Sequence, residues 1–566
     1  MTLLPHRSWL LLLLLLSLPG CQELDTPAPD AQEMAATVQA DPAIRPEAAG
    51  LHGAVVAGHP LAAQAGYRVL REGGNATDAA VTMAAILAVV RPHMNGVGGD
   101  AFALFHSPGA STVEALNGSG RAAAGATPQF YLDRELEEMP FSGALAVTVP
   151  GAVSAWAQAL ERHGTRSLAE ALEPAIELAR DGFVVTQTLE RDFSAVDRLN
   201  EAGQELYGPG GEQLRAGEVL RNPALARTLE TIAQEGPEAM YGGAVGEALV
   251  RFLEAEGSPL RLQDFAEHTA DWAESISIPF QGLRVHSHPP SSQGLALLQL
   301  LGITEAAGLD HEGPLAPDHL HNMIEATRIA LHERDEHVAD PTFQEVPVDR
   351  LLSSEHMAQR AGEIGSSATG ERGGNGVADG DGDTVYLMVV DADGNAVSWI
   401  QSLFSSFGSQ LVEPETGIVL QNRGAGFVLQ EGHPNQVAPG KRPFHTLLPA
   451  MVTDEAGAFR AALGTPGGHG QPQTVAQGLI QMIAFGLSPQ AAAEAPRFRV
   501  DDGMGVLLES RVPLHVRREL QDRGHELEIV EGWTAPFGNL QIILRTEDGV
   551  LRTGADMRRE AAAAAY

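Results

Sequence analysis

Cysteine and lysine are almost absent from this chain of 566 residues. Cys21 is the single cysteine, which excludes an intramolecular disulfide, a pair of redox thiols and a zinc site built from several cysteines. Lys441 is the single lysine, so Schiff-base or lysine-nucleophile chemistry has one candidate residue.

Positive charge is also scarce, with 37 Lys and Arg against 73 Asp and Glu and a formal net charge of −36. Such an acidic surface repels polynucleotides and anionic lipid headgroups, so we expect no nucleic-acid partner. Hydrophobic residues make up 44% of the chain. This fraction supports a large core and excludes a globally disordered protein.

The N-terminus resembles an export signal. His6 and Arg7 precede an apolar run at residues 9–16, and small residues follow before Cys21. This order predicts a signal peptide over residues 1–21, because the run is shorter than the roughly 20 residues that a bilayer-spanning helix needs. The ending Leu-Pro-Gly-Cys resembles a bacterial lipobox, in which the cysteine is lipidated. The alternative is an ordinary cleaved signal with a chance cysteine.

We therefore expect an exported protein, periplasmic or at the cell surface, whose contact with the membrane is a lipid on Cys21. Residues 22–50 are rich in proline, alanine and acidic residues and predict a disordered tether. Beyond the tether, Ser167 followed by Glu170 has the capping-box pattern and predicts a helix over 167–180. Patterning predicts further helices over 77–90, 317–336 and 472–485, and strands over 447–453, 459–463, 506–509, 526–530 and 539–544.

Residues 362–383 break the helical pattern of the middle of the chain. They are rich in glycine, serine, asparagine and aspartate and predict a flexible surface loop. The next residues, 384–390, have the length and composition of a buried strand, and a turn and a second strand over 395–401 follow. An interdomain linker is one interpretation of the loop. A loop that leads directly into a core strand headed by Thr384 better suits a chain that is cut just before that threonine.

A threonine hydroxyl becomes a useful nucleophile when a base lies beside it. If the bond between Asp383 and Thr384 is cut, Thr384 gains an α-amino group with an unperturbed pKa of about 8. This amine could take the proton of the same residue's hydroxyl near neutral pH. An Asp-Thr pair alone carries no information, so the hypothesis needs wider support from the sequence.

That support comes from several sequence blocks, which occur in order and together resemble the γ-glutamyltransferase family over residues 53–566. The blocks lie at residues 59–62, 73–80, 96–99, 149–151, 289–292, 324–326, 339–341, 383–397, 441–443 and 464–468. The resemblance implies an α+β fold, a four-layer αββα sandwich of the N-terminal-nucleophile hydrolase type. It also implies a precursor cut into two associated chains, a large and mostly helical subunit over 51–383 and a small catalytic subunit over 384–566. No metal or organic cofactor is implied.

The resemblance also implies roles for individual residues. Asp383 and Thr384 form the processing site, and Thr384 then attacks the substrate. Ser402 orients Thr384 and assists processing, although a plain strand-end serine is the alternative. The backbone of Gly467 and Gly468 holds the oxyanion of the tetrahedral intermediate, and the same pair also forms a strand-to-helix turn.

The chain departs from the family at the residues that grip a γ-glutamyl donor. Arg121 is displaced from the position of the family's substrate-binding arginine, or is unrelated to it. Gly426 stands where the family has an aspartate, which removes the anionic partner of a substrate ammonium. Four other positions are candidate substrate contacts, namely Phe404, Arg423, His445 and Thr446. Of these, Arg423 adds a planar cation suited to a carboxylate, Phe404 adds apolar surface, and His445 could instead be an ordinary packed histidine.

We therefore predict an autoprocessing amidohydrolase in which Thr384 attacks a small-molecule amide and forms an acyl-enzyme that is hydrolysed or transferred. We expect γ-glutamyl recognition to be weakened or lost. The pattern is more similar to the family branch of oxamate amidohydrolase and cephalosporin-acylase-type enzymes. A genuine γ-glutamyltransferase (glutathione hydrolase) is the first alternative, and a solute-binding lipoprotein that stays in one piece is the second. A metallohydrolase is the third, with candidate ligands His286, His288, His319, His321 and Asp340, although their spacing matches no standard zinc motif.

Overall fold

The computed structural model describes residues 43–309, 312–369, 382–500 and 505–566. The predicted signal peptide, Cys21, most of the tether and the centre of the glycine-rich loop (370–381) lie outside the described residues. Within the described ranges, no helix combines the length and the apolar character needed to cross a bilayer.

Strands occur along the whole described chain. Those in the described ranges are β1 (Ala49–Gly50), β2 (Ala54–Ala57), β3 (Asp100–His106), β4 (Glu114–Gly118), β5 (Phe183–Val184), β6 (Val219–Leu220), β7 (Asp271–Glu274), β8 (Ile276–Phe280), β9 (Leu283–Ser287), β10 (Gly382–Val390), β11 (Ala396–Ser405), β12 (Ala450–Thr453), β13 (Phe459–Gly464), β14 (Phe498–Val500), β15 (Gly505–Glu509), β16 (Glu526–Val530), β17 (Gln541–Arg545), β18 (Leu551–Ala555) and β19 (Ala562–Ala565).

Helices dominate the first two thirds of the chain. The α-helices in the described ranges are α1 (Pro60–Arg71), α2 (Ala76–Val90), α3 (Pro128–Leu132), α4 (Ala152–His163), α5 (Leu168–Asp181), α6 (Gln187–Asp192), α7 (Glu201–Tyr207), α8 (Pro223–Glu235), α9 (Glu238–Tyr241), α10 (Ala244–Ala255), α11 (Leu262–Ala266), α12 (Gly294–Ala307), α13 (Pro317–His337), α14 (Val348–Leu351), α15 (Ser354–Ala361), α16 (Gln471–Ile483), α17 (Pro489–Glu494) and α18 (Leu514–Asp522).

Two antiparallel sheets of seven strands each form the centre of the fold. The first has the order β19-β2-β10-β11-β3-β4-β7 and the second the order β1-β18-β17-β13-β12-β9-β8. Strands β10 and β11 are therefore interior strands of the first sheet, and each is hydrogen-bonded on both edges. An interior position fixes the backbone of both strands, because their ladder groups are satisfied on either side.

The side chains of β10 show how the sheets and helices are layered. Tyr386 and Met388 lie in a core shared with Met451 of the second sheet, whereas Leu387 and Val389 pack into the core that contains α2. Successive side chains of a strand point to opposite faces, so both faces of β10 are buried. A third core joins the second sheet to α12, α13 and α16. The expectation of an α+β protein is confirmed, with helices outside both sheets.

The sequence prediction was wrong about the end of the tether and missed three strands. Part of the segment predicted as a tether is structured, because Ala49–Gly50 forms β1 and pairs with β18, and the amides of Ile44 and Arg45 donate to the Glu494 carboxylate. In the middle of the chain, β7, β8 and β9 were missed. Pro279 interrupts the strand pattern of β8, which is tolerated because β8 is the edge strand of its sheet.

Two predicted helices have the expected starts. Helix α5 begins after Ser167, and the capping box with Glu170 is formed. Helix α2 begins after Asn75, whose side chain accepts hydrogen bonds from the amides of Thr77 and Asp78, while the Asp78 carboxylate accepts from the Asn75 amide. Because α2 is buried along its whole length and packs beneath β10, this cap supports the strand that carries Thr384.

Replacing Asn75 with alanine removes the cap acceptor and should lower the free energy of unfolding by about 1 to 2 kcal/mol. Asn75→Ser keeps an acceptor oxygen and should recover most of the loss. Urea denaturation of the three proteins measures the effect. An alanine variant with the wild-type midpoint and slope would show that the cap contributes nothing.

Candidate active site

Thr384 lies buried on β10, with a side chain 1% exposed. Its pairing with β11 is irregular, because Asp383 lies opposite Phe404 while Thr384 lies opposite Ser402. The register therefore shifts between these two pairs, and Leu403 is the extra residue of a β-bulge. Bulges re-aim side chains beside active sites. Here the bulge lies at the predicted processing site, between Asp383 and Thr384.

The hydroxyl of Ser402 joins the two halves of that site. This hydroxyl accepts a hydrogen bond from Thr384 Oγ1 at 3.1 Å, and its O–H donates to the carbonyl oxygen of Asp383 at 2.7 Å. The amide of Phe404 donates to the same oxygen at 2.7 Å, and Phe404 has a left-handed φ of 84°. The structure thus places the candidate nucleophile and the carbonyl that precedes it on one fully buried serine.

The turn at Gly467 and Gly468 packs against the start of β10. A Cβ on Gly382 would collide with Gly468 Cα, so these two backbones are in direct contact two residues before Thr384. Gly467 and Gly468 have φ values of 133° and 53°, a region that disfavours side chains. The predicted oxyanion residues are therefore adjacent to the strand that carries the threonine, directly before α16.

Gln293 is a site residue that the sequence analysis missed. Its Nε2 donates to the carbonyl oxygens of Thr446 at 2.5 Å and of Gly468 at 2.8 Å, and its Oε1 accepts from Arg334 Nη1 at 2.9 Å. It links the glycine turn to the segment that holds His445 and Thr446. The signal available in the sequence was its place directly after the Pro-Pro-Ser-Ser block.

Arg423 is fully buried and contacts two of the candidate residues, Thr446 and Phe404. Its Nη1 donates to Thr446 Oγ1 at 3.2 Å, and its Cζ lies 4.4 Å from the centre of the Phe404 ring. Burial lowers the pKa of Arg423 to about 10, against the opposing effect of Asp100. The group therefore remains a cation at neutral pH. Its Nη2 has no hydrogen-bond partner among the described residues.

Asp100 is the second site residue that the sequence analysis missed, although it directly follows the glycine cluster at 96–99. Its Oδ2 accepts from His445 Nε2 at 2.9 Å and lies 3.4 Å from Arg423 Nε, and its Oδ1 accepts from the Gly120 amide at 3.2 Å. Burial raises the pKa of Asp100 to about 7 despite the nearby Arg423. Burial also holds the pKa of His445 well below its usual value, so this histidine is neutral. It is linked to Arg423 through Asp100, which contacts both side chains.

Other candidate residues have partners outside this group. Arg121 is partly exposed, pairs with Asp271 at 3.3 Å and donates to the Gly440 carbonyl at 3.2 Å. His286 hydrogen-bonds to hydroxyl groups, and His321 to His525 at 2.8 Å. Within the described ranges, no three histidine, cysteine, aspartate or glutamate side chains converge as metal ligands would.

Comparison with known proteins decides the family. The family model for gamma-glutamyltranspeptidase matches residues 62–566. The chain belongs to the γ-glutamyltranspeptidase family. It is therefore an enzyme of the N-terminal-nucleophile amidohydrolase class that is made as a proenzyme, and the interpretation as a solute-binding lipoprotein is wrong.

Three relatives span nearly the same length. The glutathione hydrolase-like YwrD proenzyme of Bacillus subtilis (strain 168) is 38% identical over 520 residues, which is 90% of this chain and 97% of that protein. The oxamate amidohydrolase proenzyme of Klebsiella pneumoniae is 37% identical, covering 91% and 98%. The crystal structure of cephalosporin acylase from Bacillus halodurans matches with a TM-score of 0.87 at 38% identity, over 93% of this chain and 98% of that one.

The raised pKa of Asp100 predicts a pH dependence of stability. Between about pH 4, where an unfolded aspartate titrates, and about pH 7, the native state holds a proton that the unfolded chain has lost. The free energy of unfolding contributed by this group therefore falls as pH rises through that window. Asp100→Asn cannot titrate, so wild type should lose stability relative to this variant from low to neutral pH. Urea denaturation of both proteins across the window tests this, and a pH-independent difference would contradict it.

Proposed function

We propose that the precursor cuts itself between Asp383 and Thr384. The observation that carries this proposal is the Ser402 hydroxyl, which contacts both Thr384 Oγ1 and the Asp383 carbonyl oxygen. Thr384 Oγ attacks the Asp383 carbonyl carbon, and its hydroxyl proton passes through Ser402 to the departing amide nitrogen. The carbon–nitrogen bond breaks to leave an ester, which water hydrolyses to the Asp383 carboxylate and a free Thr384.

The two resulting chains would be a large subunit over 51–383 and a small subunit over 384–566, held together as a four-layer αββα sandwich of the N-terminal-nucleophile type. Strand pairing supports their lasting association. The small-subunit strand β10 pairs with β2 of the large subunit, and β11 pairs with β3. The first sheet is therefore built from both chains, and separating the two chains would expose both of its buried faces.

In the mature enzyme, the α-amine of Thr384 takes the proton of its own hydroxyl, which attacks the substrate amide. Backbone N–H groups of Gly467 and Gly468 stabilise the oxyanion, and one such donor typically contributes about 3 to 4 kcal/mol. The amine product leaves, and water releases the acyl group from Thr384. No step needs a metal or an organic cofactor.

For the substrate, we propose a small amide whose acyl part carries a carboxylate and no ammonium group. Arg423 supports this, since it is a buried cation with an unpartnered Nη2 beside Phe404. Gly426 supplies no anion for a substrate ammonium, which argues against γ-glutamyl donors. The name of the oxamate amidohydrolase of K. pneumoniae specifies an amide of the same kind, because oxamate carries a carboxylate beside its amide bond.

We also propose that the protein is exported and anchored by a lipid on Cys21, in the periplasm or at the cell surface. The basic start, short apolar run and lipobox-like ending of residues 1–21 support this proposal. The formal net charge of −36 argues against any nucleic-acid partner and against direct adhesion to anionic lipid.

Thr384→Ala should remain a single chain without amidase activity, because it lacks the attacking oxygen. Thr384→Ser keeps a hydroxyl and should still be cut. Denaturing gel electrophoresis and N-terminal sequencing of purified protein give the result, and the smaller wild-type chain should begin at Thr384. A wild-type protein that hydrolyses amides while continuous across this bond would overturn the mechanism.

Arg423→Met should lower kcat/KM for carboxylate-bearing amides by about 10- to 100-fold, the range expected for a lost hydrogen-bonded charge. Amides without a carboxylate should change little, and self-cleavage of the variant would show that the site still assembles. A panel of oxamate, γ-glutamyl anilide and acyl-lactam amides measures the preference. Rapid hydrolysis of the γ-glutamyl anilide in preference to the others would contradict the proposed substrate class and favour a genuine γ-glutamyltransferase.

A further inference from the structure

A second group of charges holds the side chain of Asp383 on the far side of the processing site. Arg559 Nη2 lies 3.1 Å from Asp383 Oδ1, and Arg559 Nη1 lies 3.4 Å from Asp192 Oδ2. Arg91 in turn contacts Asp192 at 3.3 Å and Glu560 at 3.2 Å. We call these five residues the Asp383 clamp. They come from α6, the segments after α2 and β18, and the start of β10.

The Asp383 clamp is largely removed from water. The side chain of Arg91 is 1% exposed, and those of Asp192, Asp383 and Arg559 are 11%, 11% and 12% exposed. Ion pairs in such surroundings are weakly screened and have fixed geometry. Arg559 is already paired with Asp192, so packing of the C-terminal segment does not require its second contact. That contact is directed at the residue whose carbonyl is to be attacked.

We propose that Arg559 is a positioning residue for self-cleavage, which holds the Asp383 carboxylate while Ser402 holds the Asp383 carbonyl. This inference rests on the proposed function. With both ends of Asp383 fixed, its carbonyl carbon stays in place for Thr384 Oγ. The Oγ–carbon bond then forms and the carbon–nitrogen bond breaks as described above. Arg559 touches no reacting atom and transfers no proton.

The Asp383 clamp acts on the precursor alone. After the cut and hydrolysis of the ester, Asp383 is a chain end that carries a second carboxylate, next to Asp192 and Glu560. The clamp then holds four carboxylates against the guanidinium groups of Arg91 and Arg559. This excess of negative charge favours departure of that end, and Arg559 keeps Asp192 as its partner. The clamp therefore affects how fast the enzyme is made, which separates it from residues that act on substrate.

The experiment follows the cut in purified full-length precursor over time, by denaturing gel and intact mass. Arg559→Gln should slow the cut by at least about tenfold, since small misplacements of reacting groups have effects of this size. Arg559→Lys keeps a cation and should be intermediate. Asp383→Asn should slow the cut to a similar degree. Arg552→Gln, which removes a partly exposed arginine pairing with Glu47, is the matched control and should be cut at the wild-type rate.

The double variant Arg559→Gln with Asp383→Asn distinguishes positioning from general destabilisation. If the two side chains act through one contact, the double variant should be no slower than the slower single variant. If the double variant is slowed by the product of the two single effects, or if Arg559→Gln is cut at the wild-type rate, Arg559 does not position Asp383. Amidase activity in every variant should rise in step with the cut fraction. A wild-type chain that stays in one piece would overturn the proposed function as well, whereas a normal cut at Thr384 with an equally fast Arg559→Gln would overturn the clamp alone.

Discussion

The hydrogen bond from Ser402 to the Asp383 carbonyl is the contact on which the site depends. It exists because the register of β10 against β11 shifts between Asp383 and Thr384, which brings the carbonyl and the threonine hydroxyl to the same serine. The bulge can hold that geometry because β10 and β11 are interior strands with both faces buried. A processing site on an edge strand or in a loop would lack this constraint, since neither its backbone nor its side chains would be fixed from both sides.

The sequence predicted the parts of the site that lie in continuous segments. A glycine-rich loop followed by an apolar run gave β10 and Thr384, and the resemblance to the family gave Ser402 and the Gly467–Gly468 turn. Short-range patterns also gave the capping box of α5, because its donors and acceptors are three residues apart. These features need no knowledge of how distant segments meet.

Asp100, Gln293 and Arg559 could not be found in this way, because their partners are remote in sequence. Asp100 and His445 are separated by 345 positions, Gln293 and Gly468 by 175, and Arg559 and Asp383 by 176. No periodicity or spacing links such pairs. Arg423 was recognised as a cation suited to a carboxylate. The sequence did not show that it is buried beside Asp100, which already occupies one side of the guanidinium.

This pairing bears on how Arg423 can be stable while it still has binding capacity. A fully buried guanidinium without an anion would carry a large desolvation penalty. Asp100 offsets part of it from one side, and the ring of Phe404 covers a face. Since burial raises the pKa of Asp100 to about 7, that carboxyl compensates the cation incompletely at neutral pH. A carboxylate arriving at Nη2 would complete the compensation, so binding gains both a hydrogen bond and the relief of an existing electrostatic cost.

The arrangement of strands also determines the order of events in the proposed self-cleavage before Thr384. Strand β10 needs β2 on one edge, and β11 needs β3, and both partners precede the cut in the chain. A fragment that began at Thr384 would therefore have unpaired ladder groups on both strands and an uncovered apolar face, so it could not assemble this sheet alone. The bulge, the Ser402 contact and the hold on Asp383 all require the finished sheet. For the proposed cut, folding must therefore come first, and the amine of Thr384 would be released only inside a core that already holds the two chains together.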